Sequence, residues 1–391
     1  MLAKILGKSG YLVGHATTEG IAIRDELVSE EDSSGYLGAA RLLNDPSITA
    51  AVLEVARGDL LNSGLYVDRC DVAALLNVGR EQVGIDGVDT LEQMANVKRK
   101  VVDAANKTVV LNADDRLCRQ LIDEFPSERT SVFSFSPRGR AVKEHLQRGG
   151  VVFCLIQSGE PRIARLQGRR NRTVISIAEL PSAWGGVVRH NIANAMAAAA
   201  LADGLGISLE DIRAGLSSFE PTVEHSPGRF NIICERPFLL IVDHAMSPPA
   251  AEALAKCLAA VKTEGRRLCM LTSVGNRPAW HYREFVAPLA KCFDRFVCNE
   301  QKRYRRGRAA GEIPALLRSE LLMQGIAAQS IDIAHDYESG LRALSGNPQP
   351  GDLVVVLGGF RREDFATLRA AFARVIDPNS IVTPGLVPGV Q

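Results

Sequence analysis

The sequence lacks the features that mark several large classes of protein. Only 5% of its 391 residues are aromatic. The sequence has 46 basic and 45 acidic side chains, which gives a formal net charge of +1. A chain so balanced has no overall field to gather nucleic acid or anionic lipid. It has no apolar run near about 18 residues, and residues 1–13 lack the core of a signal peptide. We therefore expect a cytoplasmic protein with neither nucleic acid nor membrane as a partner.

Cysteine is sparse and unpatterned, since the eight cysteines are scattered and never spaced as CxxC. Several lie in apolar runs, where a thiol packs as a small hydrophobe. This predicts reduced thiols and argues against a disulfide framework. The sequence also has no match to GxxxxGK[ST], the loop that cradles nucleotide phosphates.

Strand-like apolar runs alternate with helical patterns along most of the chain. These runs cover residues 50–53, 72–76, 108–111, 238–242, 268–272, 296–298 and 353–357. Such strands, alternating with helices, predict an α/β fold with parallel sheets covered by helices on both faces. Residues 131–182 differ, because their short alternating pieces predict a β-rich insertion of small antiparallel strands.

Two domains are expected, because a domain typically spans roughly 100–200 residues. Pro237 interrupts the pattern just before a new buried strand, so the domains are predicted over residues 1–236 and 237–380, with a frayed tail over 381–391. In the first domain, an Ala-rich buried helix over residues 191–204 is predicted to end because Gly204 and Gly206 adopt positive φ.

Three segments in a fixed order carry a family resemblance. They are His190-Asn191-Ile192-Ala193-Asn194, Ser226-Pro227-Gly228-Arg229-Phe230 and Asp243-His244-Ala245-Met246-Ser247-Pro248. Together they resemble the Mur ligase family, and most closely the ligase module of cyanophycin synthetases. The resemblance implies a central nucleotide-binding domain without its first strand and phosphate loop, followed by a C-terminal Rossmann-like domain. It also implies an enzyme that uses ATP and Mg²⁺ to join an amino acid to a carboxylate through an acyl-phosphate.

The resemblance places metal ligands at the ends of the early strands. Thr18 lies in a turn similar to the family's Thr-Thr-Asp-Gly turn near the metal, and Glu54 resembles its magnesium-binding glutamate. Gln82 stands where relatives have histidine, and a neutral amide is a weak ligand. Lys98 falls on a lysine that many relatives carbamylate, which implies a catalytic role. The alternatives are a solvated carboxylate at a strand end and a solvated lysine on a helix.

The nucleotide side of the resemblance involves five residues. Asn191 and Asn194 match the start of the helix that reads adenine, for which an amide offers a paired donor and acceptor. Arg229 resembles an arginine that bridges the domains to the nucleotide and is assigned a catalytic role as well. Asp243 resembles the aspartate that holds ribose, and His244 occupies the aromatic position beside it. Helix capping by Asn191 and a solvated Arg229 are the alternatives.

A basic run over residues 302–308 supplies the candidate substrate contacts. Arg306 and Arg308 parallel a family Arg-Gly-Arg segment, and Arg277 parallels the arginine of a Gly-Asp-Arg turn. Arginines grip carboxylates with two hydrogen bonds, which suits an acidic substrate or polymer. A solvated charged face is the alternative. RNA binding competes less well, because Tyr304 is the only stacking residue in the run.

Three replacements in the family motifs weaken the expectation of activity. Met246 and Ser247 stand where the family has His and Asn, which removes two polar contacts, and Gln82 is the third replacement. The hypotheses are therefore a ligase module, a pseudoenzyme that supports a full-length partner ligase, and a module that binds acidic peptide. We expect no ATP-dependent ligation by this chain alone. We also expect association into a homo-oligomer or with a partner, because the neighbours of the missing strand would expose an apolar edge.

Overall fold

The computed structural model describes residues 1–80, 83–346 and 348–373. The chain divides into two compact units, Met1–Phe219 and a second that begins at Glu220. Among the described residues, every helix is too short or too polar to cross a lipid bilayer. All eight cysteines are free thiols.

The described residues of the first unit form ten strands and eight α-helices. Its strands are β1 Val13–Thr17, β2 Gly20–Ile23, β3 Glu26–Ser29, β4 Ala50–Leu53, β5 Cys70–Leu75, β6 Ala105–Asn112, β7 Thr130–Ser134, β8 Val151–Ile156, β9 Arg162–Gln167 and β10 Arg170–Ser176. Its helices are α1 Leu2–Lys8, α2 Tyr36–Leu43, α3 Arg57–Asn62, α4 Leu91–Asp103, α5 Arg116–Gln120, α6 Arg140–Gln147, α7 Arg189–Gly204 and α8 Leu209–Ser217.

These strands form two sheets. A four-stranded sheet has the order β3-β2-β1-β4, in which only β1 and β4 are parallel. A six-stranded sheet has the order β10-β9-β8-β7-β6-β5, with β5 to β8 parallel and β9 and β10 antiparallel. The β-rich segment expected over residues 131–182 therefore continues the main sheet, and its strand β8 is parallel to β7.

The Ala-rich helix α7 lies on the six-stranded sheet and is buried along most of its length. Small side chains allow this close approach. A Cβ at Gly204 would lie 2.7 Å from Cβ of Thr108, whereas Gly206 adopts φ +84° just after the helix. The prediction of positive φ is thus correct for Gly206 and wrong for Gly204, which is needed for packing.

Strands β4 and β5 each lie at the end of a sheet, and no other described strand pairs with their outer edges. They are consecutive in the chain, and strands linked through a helix usually share one sheet. All four residues of β4 are Ala, Val or Leu, yet none is fully buried. Within the described residues, the outer edges of β4 and β5 therefore pair with no strand, and their backbone groups are available for pairing.

The described strands of the second unit form one six-stranded sheet. Its strands are β11 Asn231–Cys234, β12 Leu239–Asp243, β13 Arg267–Leu271, β14 Arg295–Cys298, β15 Ile331–Ile333 and β16 Leu353–Leu357, and its helices are α9 Pro248–Ala259, α10 Ala279–Ala290, α11 Glu312–Met323, α12 Tyr337–Ser345 and α13 Arg362–Phe372. The order is β11-β12-β16-β13-β14-β15, with only β11 antiparallel. Because β11 pairs with β12, this sheet begins before the boundary predicted at 236/237. The predicted tail over residues 381–391 lies outside the described residues.

Candidate functional site

Thr18 and Glu54 meet at the carboxyl end of the four-stranded sheet. Each follows the last residue of its strand, β1 and β4 respectively, and these strands are parallel. The backbone N–H of Thr18 donates to one carboxylate oxygen of Glu54, and its hydroxyl donates to the other, both at 3.0 Å. Both side chains are exposed, so the carboxylate is fixed in position and open to a ligand.

The loop after β5 is ordered by the turn that follows β6. Asn112 donates from its side chain to the carbonyl of Leu76 at 2.8 Å, and Asp115 accepts from the N–H of Val78 at 3.2 Å. Lys98, on α4, donates from Nζ to the carbonyl of Asn77 at 3.2 Å. The structure therefore places Lys98 at the carboxyl end of the six-stranded sheet, beside the loop in which the family resemblance places a metal ligand.

Arg57 has a positioning role that the sequence reasoning missed. Its side chain is almost completely buried at the start of α3, where it forms a 2.8 Å ion pair with Asp86 and donates to the carbonyl of Ile85. These bonds join the helix that follows Glu54 to the loop that follows β5. The sequence signal was an arginine three residues after the strand-end carboxylate Glu54. Its partners Ile85 and Asp86 could not be predicted, because they lie 28 and 29 residues further along the chain.

At the end of the four-stranded sheet, the groups that could bind a metal ion are the oxygen atoms of Glu54 and Thr18. Gln82 lies outside the described residues, so its predicted role stays a prediction. The part of the chain that the structure describes holds no group of three His, Cys, Asp or Glu side chains suited to a metal. Mg²⁺ usually keeps several of its waters and needs one or two carboxylates from the protein. Glu54 and the Thr18 hydroxyl fit that requirement.

Asn191 and Asn194 lie one turn apart near the start of α7. Asn191 is buried and donates to the carbonyl of Ser182 at 2.9 Å, whereas Asn194 is exposed. Val188 precedes the helix and provides no side-chain cap. Asn191 therefore fixes the preceding turn instead of capping its own helix. Reading of adenine by this pair stays a prediction.

Asp243 ends β12 in the second unit and carries a perturbed carboxyl group. Burial raises its pKa to about 6, and this effect is opposed by the N–H of Phe230, which donates to the carboxylate at 2.8 Å, and by the charge of Arg229. Burial, together with the charges of Arg229 and Arg303, lowers the pKa of His244 to about 4. His244 is therefore neutral at pH 7. Asp243 is ionised at that pH, although burial of its charge is unfavourable.

The two replaced motif positions, Met246 and Ser247, lie between β12 and α9 in the second unit. The side chain of Met246 is buried, and its carbonyl lies 3.2 Å from Nε2 of His281. Burial lowers the pKa of His281 to about 4, so this ring is also neutral at pH 7. Ser247 precedes α9, where Pro248 occupies the first position. Met246 thus contributes an apolar side chain and a backbone acceptor to this loop.

Polar side chains without partners gather at the carboxyl ends of β13 and β14. Thr272, Ser273 and Asn299 are fully buried, and their side-chain polar atoms have no hydrogen-bond partner among the described residues. The N–H of Asn299 donates to the carbonyl of Leu271, so the two strand ends are adjacent. Ligands in open α/β sheets bind at this edge. Sequence patterns did not single out these residues, because each looks like an ordinary end of a strand.

The three predicted substrate arginines have different environments in the second unit. Arg308 donates from Nε to the carbonyl of Gly275 at 2.8 Å and pairs with Glu312. Its 3.4 Å contact with the carbonyl of Arg277 brings it to the predicted Gly275–Arg277 turn. Arg306 is exposed to solvent. The structure thus brings Arg308 and Arg277 together, and their roles toward a substrate stay predictions.

Comparison with protein families accounts for most of the chain. Residues 1–202 match the Mur ligase middle domain, and residues 228–360 match the Mur ligase, glutamate ligase domain. Each match falls largely within one of the two compact units.

Curated relatives include two cyanophycin synthetases. The protein of Crocosphaera subtropica is 33% identical over 341 residues, which are 87% of this chain and 38% of that protein. The protein of Synechocystis sp. is 32% identical over 358 residues, 91% of this chain and 40% of that protein. The chain therefore spans about two fifths of the length of these relatives.

Solved structures share the fold at lower identity. A bifunctional folylpolyglutamate synthase/dihydrofolate synthase from Yersinia pestis, complexed with AMPPNP and Mn ion, has a TM-score of 0.60 and 20% identity, covering 95% of this chain and 85% of that one. A UDP-N-acetylmuramoylalanyl-D-glutamyl-2,6-diaminopimelate–D-alanyl-D-alanyl ligase from Acinetobacter baumannii has a TM-score of 0.61 and 18% identity, covering 95% of this chain and 73% of that one.

Proposed function

The chain belongs to the Mur ligase family, and from that membership we propose that it forms part of an ATP-dependent ligase site that joins an amino acid to a carboxylate. The observation that carries the proposal is the Glu54 carboxylate, which two bonds from Thr18 fix at the carboxyl end of a parallel strand pair. An exposed carboxylate held in this way costs little to reorganise when a cation approaches. The likeness to cyanophycin synthetases suggests arginine and an aspartate side chain as the joined groups.

The residues of the first unit would have separate roles in such a site. Glu54 and Thr18 would hold Mg²⁺, which when bound neutralises charge on the phosphates. Lys98 orders the loop at Asn77 and, if carbamylated as in relatives, would provide a further carboxylate near the metal. In the second unit, taken by itself, Asp243 would accept a hydrogen bond from a hydroxyl such as that of a ribose, since it is ionised above about pH 6.

We further propose that these 391 residues alone do not complete the reaction. Met246 and Ser247 offer fewer polar contacts than the family residues that they replace, and the printed sequence contains no GxxxxGK[ST] cradle. Phosphate cradling and metal contacts supply several kcal/mol of transition-state stabilisation, and about 1.4 kcal/mol corresponds to a tenfold change in rate. A scaffold that supports a full-length ligase is the second candidate, which the open edges of β4 and β5 favour.

Calorimetric titration with AMPPNP tests the nucleotide site. We expect binding that strengthens when Mg²⁺ is added, and we expect Glu54→Ala to remove that strengthening while leaving the metal-free binding intact. Glu30→Ala, which removes an exposed carboxylate of the same unit, is the matched control. An equal response to Mg²⁺ in wild type and Glu54→Ala would refute the role of Glu54, and absence of AMPPNP binding by the wild type would refute the nucleotide site.

A further inference from the structure

A cavity of about 550 Å³ opens in the first unit at the carboxyl ends of β6 and β7. Its wall is formed by the turns that follow these two strands, by α5 and the short 3₁₀ turn after it, and by α6. Sites that bind small molecules usually have volumes of about 300–1,000 Å³, so this cavity is large enough for one. It contains none of the candidate metal, nucleotide or substrate residues.

Four of the six charged side chains on the cavity wall neutralise one another. Arg148 pairs with Asp123 at 2.6 Å, and Arg140 pairs with Glu144 at 2.7 Å. The remaining two side chains carry opposite charges. The wall therefore offers a ligand one cation and one carboxylate.

Asp114 and Arg119 are these two side chains. Asp114 lies just after β6, and its carboxylate accepts from the hydroxyl of Ser134 and from the N–H of Phe135, each at 2.6 Å. Arg119, on α5, donates from Nη1 to the carbonyl of Ala113 at 3.2 Å. Both side chains are exposed, and neither forms an ion pair with any residue that the structure describes. Neutral groups thus hold the carboxylate and the guanidinium in place, while their charges stay unmatched.

The start of α6 adds hydrogen-bond donors to the same cavity. Gly139 precedes the helix and provides no side-chain cap, and the first turn contains no acidic residue. The N–H of Gly139 donates to the carbonyl of Ser136, but the N–H groups of residues 140–142 have no partner among the described residues. All three residues line the cavity. Free N–H groups at the start of a helix favour negative charge, so this part of the cavity suits a carboxylate.

We infer that this cavity binds a free α-amino acid with an aliphatic side chain. Such a molecule carries a carboxylate and an ammonium group a few bonds apart, and the wall offers a complement to each. The carboxylate would accept from Arg119 and from the first turn of α6, and the ammonium would donate to Asp114. Ile122 and Val142, which also belong to the core of the first unit, line the cavity and would pack on the aliphatic side chain. A simple anion would instead leave the charge of Asp114 unmatched in the same cavity.

Calorimetric titration with L-leucine, without nucleotide or metal, tests the inference independently of the proposed ligase function. N-acetyl-L-leucine lacks the ammonium group and L-leucinamide lacks the carboxylate. Each should therefore bind about tenfold or more weakly than L-leucine, as expected for the loss of a charge-assisted hydrogen bond. Equal binding of N-acetyl-L-leucine and L-leucine would overturn the inference in favour of a simple anion site. Absence of L-leucine binding by the wild type would also overturn it.

Variants of the two unmatched side chains show whether L-leucine binds in this cavity. Arg119→Gln and Asp114→Asn should each weaken its binding about tenfold or more. The controls Arg169→Gln and Asp68→Asn, which change exposed residues of the same unit outside the cavity, should bind like the wild type. Asp114 also orders the turn after β7, so Arg119→Gln decides the outcome if Asp114→Asn lowers the Tm. Affinity of Arg119→Gln equal to that of the wild type would overturn the inference.

Two substitutions at residue 140 test the donors at the start of α6. Arg140→Pro removes both the backbone N–H and the side-chain charge, whereas Arg140→Ala removes the charge alone. Proline is favoured at the first position of a helix, and Gly139 before it has ψ 148°, in the extended range that suits a residue preceding proline. The two variants should therefore have similar Tm values, and Arg140→Pro should bind L-leucine about threefold or more weakly than Arg140→Ala. Equal affinity would overturn the placement of the carboxylate at α6 and, with it, the inference.

Discussion

At the scale of single residues, Asp243 carries its charge in surroundings that disfavour it. Its pKa is raised from 3.8 to about 6, so the folded protein binds this proton more tightly than the unfolded chain does. The unfavourable contribution to stability is therefore absent below about pH 4, grows as the pH rises to about 6 and stays constant above that.

Asp243→Asn should remove this pH-dependent cost. The free energy of unfolding of the variant, relative to the wild type, should rise between pH 4 and pH 6, by at most about 3 kcal/mol at 1.36 kcal/mol per pKa unit. Urea denaturation of both proteins from pH 4 to pH 8 measures the difference. A difference that does not change with pH would show that Asp243 has an ordinary pKa.

Single residues also mark the limit of sequence reasoning at the site. The family resemblance placed Glu54 and Thr18 near one another, and the two are hydrogen-bonded. The role of Arg57 was not predictable, because its partners Asp86 and Ile85 lie in a loop that only the folded chain brings near. Which arginines of residues 302–308 form ion pairs was also not predictable, because carboxylates such as Asp364 lie far away in the sequence.

At the scale of elements, the apolar runs predicted the strands well. Strand β4 coincides with the run 50–53, and β16 coincides with 353–357. Strand pairing was harder to predict, because the same alternating pattern suits a separate antiparallel insertion and a continuation of the main sheet. Strand β8 shows this, since it pairs with β7 on one side and β9 on the other.

Substitution of two helix glycines by alanine compares the effect of side-chain packing with that of helix propensity. Gly204→Ala should destabilise the protein by about 1–3 kcal/mol, because its Cβ would lie 2.7 Å from Cβ of Thr108 in the packed interior. Gly7→Ala in α1 should instead stabilise it by about 0.5–1 kcal/mol, since no atom lies within 4 Å of that Cβ. Urea denaturation measures both, and equal shifts would disprove the tight contact between α7 and β6.

At the scale of the whole molecule, the open edges of β4 and β5 favour association. An apolar edge strand pairs readily with a strand from another polypeptide. Size-exclusion chromatography with light scattering should therefore show a mass above the 42.2 kDa of one chain, or aggregation that a partner suppresses. A stable monomer across micromolar concentrations would show that these edges do not recruit a second chain.

The central claim is that this chain has a ligase scaffold but does not catalyse ligation by itself. The most direct test is to measure ADP release by the purified 391-residue chain. The assay contains ATP, Mg²⁺, arginine and an aspartate-rich peptide, and a cyanophycin synthetase serves as the positive control. We predict no ADP above the level without protein, because a phosphate cradle is absent from these residues and Met246 and Ser247 replace polar motif residues. ADP release that requires both arginine and the peptide would contradict that prediction and show that the chain is an active ligase.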